Sequence, residues 1–315
     1  MFDSRKLKND LIYIAIKGVI YILEKLPRHW TLRLAGVLGE IAAVLDVKER
    51  KLAERNLKLA YGDKWNDLEI ELVAKDCFVK VALNAADVIQ SRKWSADDLG
   101  KLVKVEGWEH FQAAFEQDRG VIGLTGHIGN FELLAAWFAS VKKIPLSAIG
   151  RALYDKRLDK MVIENRKRFG IENIVSDAAA KNVITILRSG RMLGVLLDVD
   201  SSKFSGRFAP FFGVPAKTAA GPMLIGRRTQ SPVVPMAMFR TDDNRYLVKI
   251  LPAFDIPSTD DKDTDIDEAL ARCNVALEEL INHDPTQWAW MHNRWKSKSS
   301  ENEQKSVARE ALSVE

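Results

Sequence analysis

Short apolar runs alternate with amphipathic segments from about residue 101 onward, and this alternation constrains the fold more than any other feature of the chain. Runs typical of buried strands occur at 121–124, 146–149, 173–175, 193–197, 232–239 and 246–251. Helical patterns occur at 131–141, 154–169, 178–188, 218–228 and 266–281. Strands separated by helices of this length form parallel βαβ units. We therefore predict an α/β fold with a mostly parallel sheet flanked by helices.

The pattern divides the chain into four parts. Residues 1–47 are predicted to be a membrane-associating helical segment, 48–100 a helical lead-in, 101–296 the α/β domain and 297–315 a polar, flexible tail. The length of 315 residues exceeds the usual single-domain size, but α/β domains often run well past ~200 residues. A content of 47% hydrophobic and 29% charged residues is that of a globular protein rather than a disordered one.

The chain opens on a strongly hydrophobic segment at residues 11–26. Lys17 interrupts the apolar stretch at 11–26, which is already shorter than the ~20 residues that span a bilayer. Asp10, Lys17 and Glu24 recur at every seventh position and form one narrow polar stripe on a helix, which suits a helix lying in a membrane interface. Pro27 ends this helix, and the apolar stretch at 32–45 completes a predicted hydrophobic helical hairpin. The alternatives are packing on the protein's own core and a single spanning helix.

Cysteine content and net charge narrow the range of compartments and partners. The chain has two cysteines, Cys77 and Cys273, and no small-residue cleavage site follows the N-terminal apolar segment. Neither a disulfide framework nor a removed signal peptide is therefore predicted, which places the catalytic part in a reducing compartment. The net charge of +4 is mildly basic, and lysines alternate with acids along most of the chain. An anionic membrane surface fits this charge at least as well as nucleic acid does.

The stretch LTGHIGNFELL at 124–134 carries the pair of residues most indicative of chemistry. His127 lies where a predicted strand meets a predicted helix, at the sheet edge where open α/β folds place their sites. Gly126 and Gly129 allow a bend, and Asn130 can cap the helix, so that Glu132 falls in the first helical turn. Glu132 can then hold one imidazole nitrogen while the other removes a proton from a hydroxyl. The alternative is an ordinary helix-start glutamate beside a histidine that bonds only to backbone.

Three further charged residues lie on a predicted helix or directly after a predicted strand. Arg151 follows a strand and can bind a phosphate on the same sheet edge, the alternative being a surface arginine. Arg166 lies among Lys160, Lys167 and Arg168, a cluster typical of a solvated helix face. Asp198 ends an apolar strand, where an acid is more often functional or ion-paired.

Other classes of site have weaker support in the sequence. An aromatic cluster follows Asp198 and can line an acyl pocket or belong to the core; its members are Phe204, Phe208, Phe211 and Phe212. Zincin spacing and a GxGxxG loop are both missing from the sequence, so neither a metal nor a nucleotide cofactor is predicted. No GxSxG elbow occurs and neither cysteine has a recognisable catalytic setting, so the group to be transferred is predicted to pass without a covalent enzyme intermediate.

The segment HIGNFE resembles the His-x4-Asp/Glu motif of glycerolipid-type acyltransferases. Most of the chain is similar to the lipid A biosynthesis (lauroyl/myristoyl) acyltransferase family, because further segments resemble that family's blocks in the same order. These are Arg55-Asn-Leu57, Arg151, Arg166 in NRKRFG, Asp198-Val-Asp200 with Pro210-Phe-Phe-Gly-Val-Pro215, Pro232-Val-Val-Pro235, and Trp288-Ala-Trp-Met-His-Asn-Arg-Trp295. Ala152 and Val199 depart from the family pattern, which bears on the identity of the donor and acceptor.

The resemblance implies a glycerolipid-acyltransferase-like fold and an O-acyltransferase at the cytoplasmic face of the cell inner membrane. The implied reaction moves a fatty acyl chain from acyl-acyl carrier protein, or acyl-CoA, to a hydroxyl of a lipid A precursor. The implied catalytic residues are His127, Glu132, Arg166 and Asp198, with Arg166 stabilising the oxyanion. The implied substrate-binding residues are Gly129, Asn130, Arg151, Phe211, Phe212 and Arg294. The alternatives are another lipid acceptor, such as a phosphatidylinositol mannoside or a lysophospholipid, and a noncatalytic lipid-binding protein of the same fold.

Overall fold

A computed structural model describes residues 4–150, 155–175, 179–200 and 206–300. The predicted flexible tail lies almost entirely outside these ranges, as does Arg151. Nine strands are found in the described part: β1 (Val103–Glu106), β2 (Val121–Thr125), β3 (Leu146–Gly150), β4 (Glu172–Val175), β5 (Met192–Leu196), β6 (Gly206–Phe211), β7 (Val214–Ala219), β8 (Val233–Arg240) and β9 (Tyr246–Ile250).

Eleven α-helices accompany the strands in the described ranges. They are α1 (Ser4–Lys25), α2 (Arg28–Leu45), α3 (Val47–Tyr61), α4 (Asp67–Gln90), α5 (Ala96–Leu102), α6 (Trp108–Phe115), α7 (Phe131–Ala136), α8 (Lys156–Arg168), α9 (Ala179–Arg188), α10 (Gly221–Thr229) and α11 (Lys262–His283). A π-helical turn at Trp137–Val141 continues α7. A capping box between Asn66 and Glu69 fixes the start of α4, the long helix on which the N-terminal helices pack.

Seven strands form one sheet in the order β1-β9-β8-β2-β5-β3-β4. The five strands from β8 to β4 are parallel, whereas β9 and β1 run antiparallel to them. Strands β6 and β7 form a separate antiparallel hairpin. The prediction of a mostly parallel sheet flanked by helices is therefore confirmed.

Two hydrophobic clusters cover the two faces of the sheet. Along β2, Ile122 and Leu124 belong to one cluster and Val121 to the other, as expected when successive side chains point to opposite faces. Buried residues of α3 and α4, including Leu57 and Cys77, belong to the same cluster as Ile122. The helices of the lead-in thus share a core with the sheet.

The structure corrects the prediction at two places in the α/β part. Residues 218–219 were predicted to begin a helix, but they end β7, and α10 starts only at Gly221. The hairpin itself was not predicted, although Phe212 and Gly213 both take positive φ, as a two-residue hairpin turn requires. The segment PFFGVP is thus a turn between two strands.

The two N-terminal helices occur where they were predicted, separated by Pro27. Rather than forming a free hairpin, α2 packs lengthwise on α4, and Gly39 allows this because a Cβ there would lie 2.7 Å from Val79 Cα. The polar stripe of α1 faces the protein at two of its positions, since Asp10 pairs with Arg157 and Glu24 with Arg92. Within the described ranges, no helix has the length and hydropathy needed to cross a bilayer.

Candidate active site

The loop between β2 and α7 is shaped by two residues that were predicted to bind substrate. Gly129 has φ +54°, and a Cβ there would lie 1.9 Å from the carbonyl oxygen of Met238, so a glycine is required. Asn130 caps α7 by accepting a hydrogen bond from the Leu133 N–H at 3.1 Å, and its amide donates to Tyr246. Asn130 is buried, and both residues shape the loop that carries His127; their predicted contact with substrate stays a prediction.

Asp198 is the carboxylate that holds His127. It follows β5, the neighbour of β2, and its Oδ1 lies 3.0 Å from Nδ1 of the imidazole. Its Oδ2 accepts the backbone N–H of His127 at 2.6 Å and the indole N–H of Trp288 at 2.8 Å. Gly126 permits this approach, because a Cβ at that position would lie 2.8 Å from Oδ2. One buried carboxylate therefore fixes both the backbone and the ring of His127.

These contacts set the protonation of the pair. Burial lowers the pKa of His127, but the charge and hydrogen bond of Asp198 outweigh burial, so the pKa of His127 lies above its ordinary value. Burial raises the pKa of Asp198, but the charge of His127 and three hydrogen bonds outweigh it and hold that pKa below its ordinary range. Asp198 is thus an anion that keeps the proton on Nδ1 and leaves Nε2 free to act as a base.

Glu132 was predicted to hold the imidazole of His127, but it pairs with Arg166 instead. Its two carboxylate oxygens accept hydrogen bonds from Nε and Nη2 of Arg166, the former at 3.0 Å. The remaining Nη1 of Arg166 donates to Asn173 Oδ1 at 2.6 Å. No hydrogen bond joins Glu132 to His127, both of which lie in the described ranges. Neither ion pair was predictable from spacing, because Glu132 and Arg166 lie on α7 and α8, and His127 and Asp198 follow two different strands.

The same contacts bear on the predicted role of Arg166. All three guanidinium nitrogens are occupied by Glu132 and Asn173, and the side chain is largely buried rather than on a solvated face. These bonds hold the guanidinium in a fixed position beside α7. These contacts use three of its five N–H donors, so the predicted oxyanion role of Arg166 stays a prediction.

Three other predicted substrate-binding residues make contacts within the protein. Arg294 is fully buried and donates to the Lys217 carbonyl and to Thr218 Oγ1, so it ties the C-terminal segment to β7; burial lowers its pKa to about 10. Phe211 is fully buried in the core against Trp288. Phe212 lies at the hairpin turn, where its N–H donates to Glu278.

Arg151 and Phe204 lie outside the described residues. Among the residues that are described, no group of three His, Cys, Asp or Glu side chains is arranged to hold a metal ion. Both cysteines are buried, and burial raises the pKa of each thiol.

His292 is a site residue that the sequence-based prediction missed. Its ring centre lies 4.5 Å from that of His127, with the two planes tilted by 56°. Asn56 anchors its backbone by donating to the carbonyls of His292 and Trp290, which gives a structural role to the segment Arg55-Asn-Leu57. The signal was present in the segment WAWMHNRW at 288–295, of which only Arg294 had been selected.

A cleft lies between the sheet and α7, and Phe131, which contacts the imidazole, is one of its lining residues. The empty space in and in front of the cleft is about 490 Å³, open solvent included. Glu132, Arg166 and Phe131 line it together with apolar residues of the sheet, and the Phe131 ring lies 5.0 Å from the His127 ring. Gly123, Gly194 and Ala148 lie side by side on β2, β5 and β3, so the sheet contributes almost no side-chain volume at this level.

One match to a known protein family establishes the family of this chain. Residues 3–297 match the family described as "Bacterial lipid A biosynthesis acyltransferase". The chain belongs to this family. The resemblance that the sequence motifs indicated is thus confirmed, and with it the prediction of an acyltransferase.

Individual relatives have low sequence identity to this chain, but each alignment covers more than half of both proteins. The lipid A biosynthesis lauroyltransferase of Escherichia coli is 25% identical over 89% of this chain and 90% of its own. The lipid A biosynthesis acyltransferase of Haemophilus influenzae is 26% identical over 84% of this chain and 83% of its own. The phosphatidylinositol mannoside acyltransferase of Mycolicibacterium smegmatis is 22% identical over 62% of this chain and 64% of its own.

Proposed function

We propose that this acyltransferase moves a fatty acyl chain from an acyl thioester, with acyl-acyl carrier protein as donor, to a hydroxyl of a lipid A precursor at the cytoplasmic face of the inner membrane. The observation that carries the proposal is the contact of 3.0 Å between His127 Nδ1 and the buried Asp198, in a member of a lipid A acyltransferase family. The net charge of +4 favours an acidic carrier protein as the donor.

The reaction follows from the protonation of the pair. Nε2 of His127 takes the proton of the acceptor hydroxyl as the hydroxyl oxygen forms a bond to the thioester carbonyl carbon, and the carbonyl electron pair moves to oxygen. The adjacent Asp198 carboxylate stabilises the imidazolium. When the carbonyl re-forms, the carbon–sulfur bond breaks, and the thiolate takes the proton back from Nε2. No residue of the protein is acylated.

The experiment for this function uses the full-length protein with acyl-acyl carrier protein and a lipid A precursor lacking one secondary chain. The expected product is the precursor increased in mass by one acyl group, detected by mass spectrometry, with release of the carrier thiol. Thiol release with no acylated lipid from any tested acceptor contradicts the proposal.

We place the acyl chain in the cleft beside His127. Its walls are apolar apart from Glu132, Arg166 and Thr125, and an apolar cleft with a few polar groups at one end is typical of a lipid-binding site. Met192 closes part of the cleft, because its Cε lies 2.2 Å from where a Cβ of Gly123 would stand. The cleft replaces Phe211 and Phe212 as the proposed acyl site, since neither lines it.

Gly194→Ala is expected to shorten the acyl chain that the enzyme prefers. The new methyl group enters the cleft without a clash, because the nearest atoms lie 3.9 and 4.0 Å from the Cβ position. One methylene in an apolar pocket changes discrimination by roughly 10-fold or more. We therefore expect the ratio of kcat/KM between two donors that differ by two carbons to shift by about that factor toward the shorter one.

Gly221→Ala is the matched control, because a Cβ there meets nothing within 4 Å and Gly221 lies outside the cleft. Donor mixtures compared by product mass give the ratio directly. An unchanged ratio in Gly194→Ala, with the control also unchanged, contradicts the placement of the chain.

The outer surface of α1 and α2 supports membrane association. On α2 small residues face the protein, including Ala35, Gly39 and Ala43, while large apolar residues face outward. The outward residues of the two helices are Ile14, Val19, Tyr21, Ile22, Trp30, Leu34, Val37, Leu38, Ile41, Val44 and Leu45. Exposed apolar surface of this extent marks a membrane or protein interface.

Basic and aromatic side chains border this apolar surface. The Arg33 guanidinium lies 5.0 Å from the Trp30 ring centre and the Lys25 ammonium 5.7 Å from that of Tyr21. Trp and Tyr beside Lys and Arg are typical of a helix that lies in the interface of an anionic membrane. The surface therefore favours a lipid bilayer as its partner.

Val37→Glu with Ile41→Glu is expected to weaken binding to vesicles of phosphatidylethanolamine and phosphatidylglycerol. Both side chains are exposed, at 53% and 47%, so folding should be preserved, but two large apolar contacts with lipid are lost. A loss of about 1.5–3 kcal/mol for each corresponds to at least ~100-fold in the partition coefficient. Flotation measures the bound fraction.

Val275→Glu, which changes an exposed apolar residue on α11, serves as the control. Equal flotation of the two variants contradicts the proposal that α1 and α2 bind the membrane.

A second acceptor is favoured by one comparison. The similarity to a protein named phosphatidylinositol mannoside acyltransferase supports a phosphatidylinositol mannoside as the alternative acceptor. Adding a phosphatidylinositol mannoside to the same mass-spectrometric assay distinguishes the two acceptors, because their products differ in mass.

A further inference from the structure

We propose that His292 is a second catalytic imidazole, which donates a hydrogen bond to the thioester carbonyl oxygen as that oxygen becomes the oxyanion. The inference rests on the proposed acyl transfer at His127. It assigns to His292 the stabilising role that was predicted for Arg166.

The position of His292 is the first support. With ring centres 4.5 Å apart, the two imidazoles border the same small space. A hydroxyl that hydrogen-bonds to Nε2 of His127 brings the attacked carbonyl within reach of the neighbouring ring. Stabilisation of an oxyanion requires a donor at about 2.7–3.1 Å from the developing charge.

The free hydrogen-bonding capacity of the ring is the second support. Within the described residues, the His292 ring makes no hydrogen bond and no ion pair, although the residue is half-buried. Neither ring nitrogen is fully buried. A half-buried, rigidly held polar ring with no protein partner is available to a substrate atom.

Protonation and rigidity also suit this role. Burial and the charge of His127 lower the pKa of His292, so the ring is neutral and presents one N–H donor. Its N–H and C=O are fixed by bonds to Ala289 and Asn56, at 3.0 and 2.7 Å. A donor held in place before the reaction needs no reorganisation when the charge develops.

The other donors of this region are committed to contacts within the protein. Arg166 uses three of its five N–H groups on Glu132 and Asn173, and Arg294 is fully buried beside β7. Asn130 uses its amide to donate to Asn84 and Tyr246. Among these side chains in the described part of the chain, His292 is the one whose polar atoms make no hydrogen bond to the protein.

The test compares His292→Phe with His292→Gln in the full-length protein. Phenylalanine keeps the ring shape and removes the donor, so kcat is expected to fall by about 10²–10³-fold with KM for both substrates nearly unchanged. Glutamine supplies an N–H, so His292→Gln is expected to recover at least about 10-fold of this loss. Melting temperature and circular dichroism identify any variant that fails to fold.

His283→Phe is the matched control, since His283 also contacts an aromatic ring, that of Phe239, and is exposed outside the site. Its kcat is expected to equal that of the unmodified enzyme. An unchanged kcat in folded His292→Phe, a rise in KM alone, or a His292→Gln variant no better than His292→Phe each overturns the oxyanion role. Absence of acyl transfer by the unmodified enzyme contradicts the proposed function itself, and the inference with it.

Discussion

His127→Ala is expected to reduce the rate of acyl transfer by about 10²–10⁴-fold, the usual contribution of a positioned general base. The effect should appear in kcat, because the imidazole removes a proton in the transition state and contributes little to substrate affinity. Single-turnover measurement of carrier thiol release, with the lipid acceptor in excess, gives this rate directly.

His110→Ala, on α6 and outside the site, serves as the control for loss of a histidine. A folded His127→Ala protein with near-normal turnover contradicts the mechanism. So does an acylated protein that accumulates when donor is supplied without acceptor, because direct transfer leaves no acyl-enzyme.

Asp198→Asn is expected to lose about 10³–10⁴-fold in kcat, which is comparable to the loss of the base itself. Asp198 Oδ2 accepts two N–H groups, from the His127 backbone and Trp288, so an asparagine oxygen will take that position. The asparagine NH₂ then faces Nδ1, which must accept instead of donate. The proton therefore moves to Nε2 in most molecules, and only the minor tautomer, with the proton on Nδ1, can still act as a base.

Glu132→Gln provides the comparison for this prediction. Its carboxylate binds Arg166. The charge of Glu132 also raises the pKa of His127, but less than Asp198 does. We expect the variant to alter the mouth of the cleft and to lower the melting temperature, with a smaller loss of kcat than Asp198→Asn. Equal losses in the two variants, with both proteins folded, contradict the assignment of the imidazole partner.

The parts of the fold that depend on periodicity were predictable from the sequence. Strand β2 is continuous and buried, and α11 has a long amphipathic pattern, so both were located within a few residues. The hairpin of β6 and β7 was missed because its strands are short and contain prolines at positions 210 and 215. Positive φ at Phe212 is also a property that the residue type does not indicate.

The location of the site was predictable from the sequence, but the carboxylate that binds His127 was not. His127 lies between a strand and a helix, which placed the site at the carboxyl edge of the sheet. The apolar run ahead of Asp198 indicated a functional acid at the end of another strand. Which carboxylate meets the imidazole depends on strand order, since β5 lies next to β2 although the two are far apart in sequence. Spacing along the chain favoured Glu132, whereas the adjacency of strands brings Asp198 to the ring.

The pH dependence of kcat/KM in Asp198→Asn tests the central claim most directly. In the unmodified enzyme the pKa of His127 is raised, mainly because Asp198 outweighs the effect of burial, so activity should rise with pH through a midpoint above the ordinary histidine value of ~6.5. Without the charge of Asp198, burial remains and lowers the pKa of His127. The midpoint of the residual activity is therefore expected to move to lower pH in Asp198→Asn, and much less in Glu132→Gln. An unmoved midpoint in Asp198→Asn, together with a clear shift in Glu132→Gln, would show that Glu132 is the partner of the base and would contradict this account.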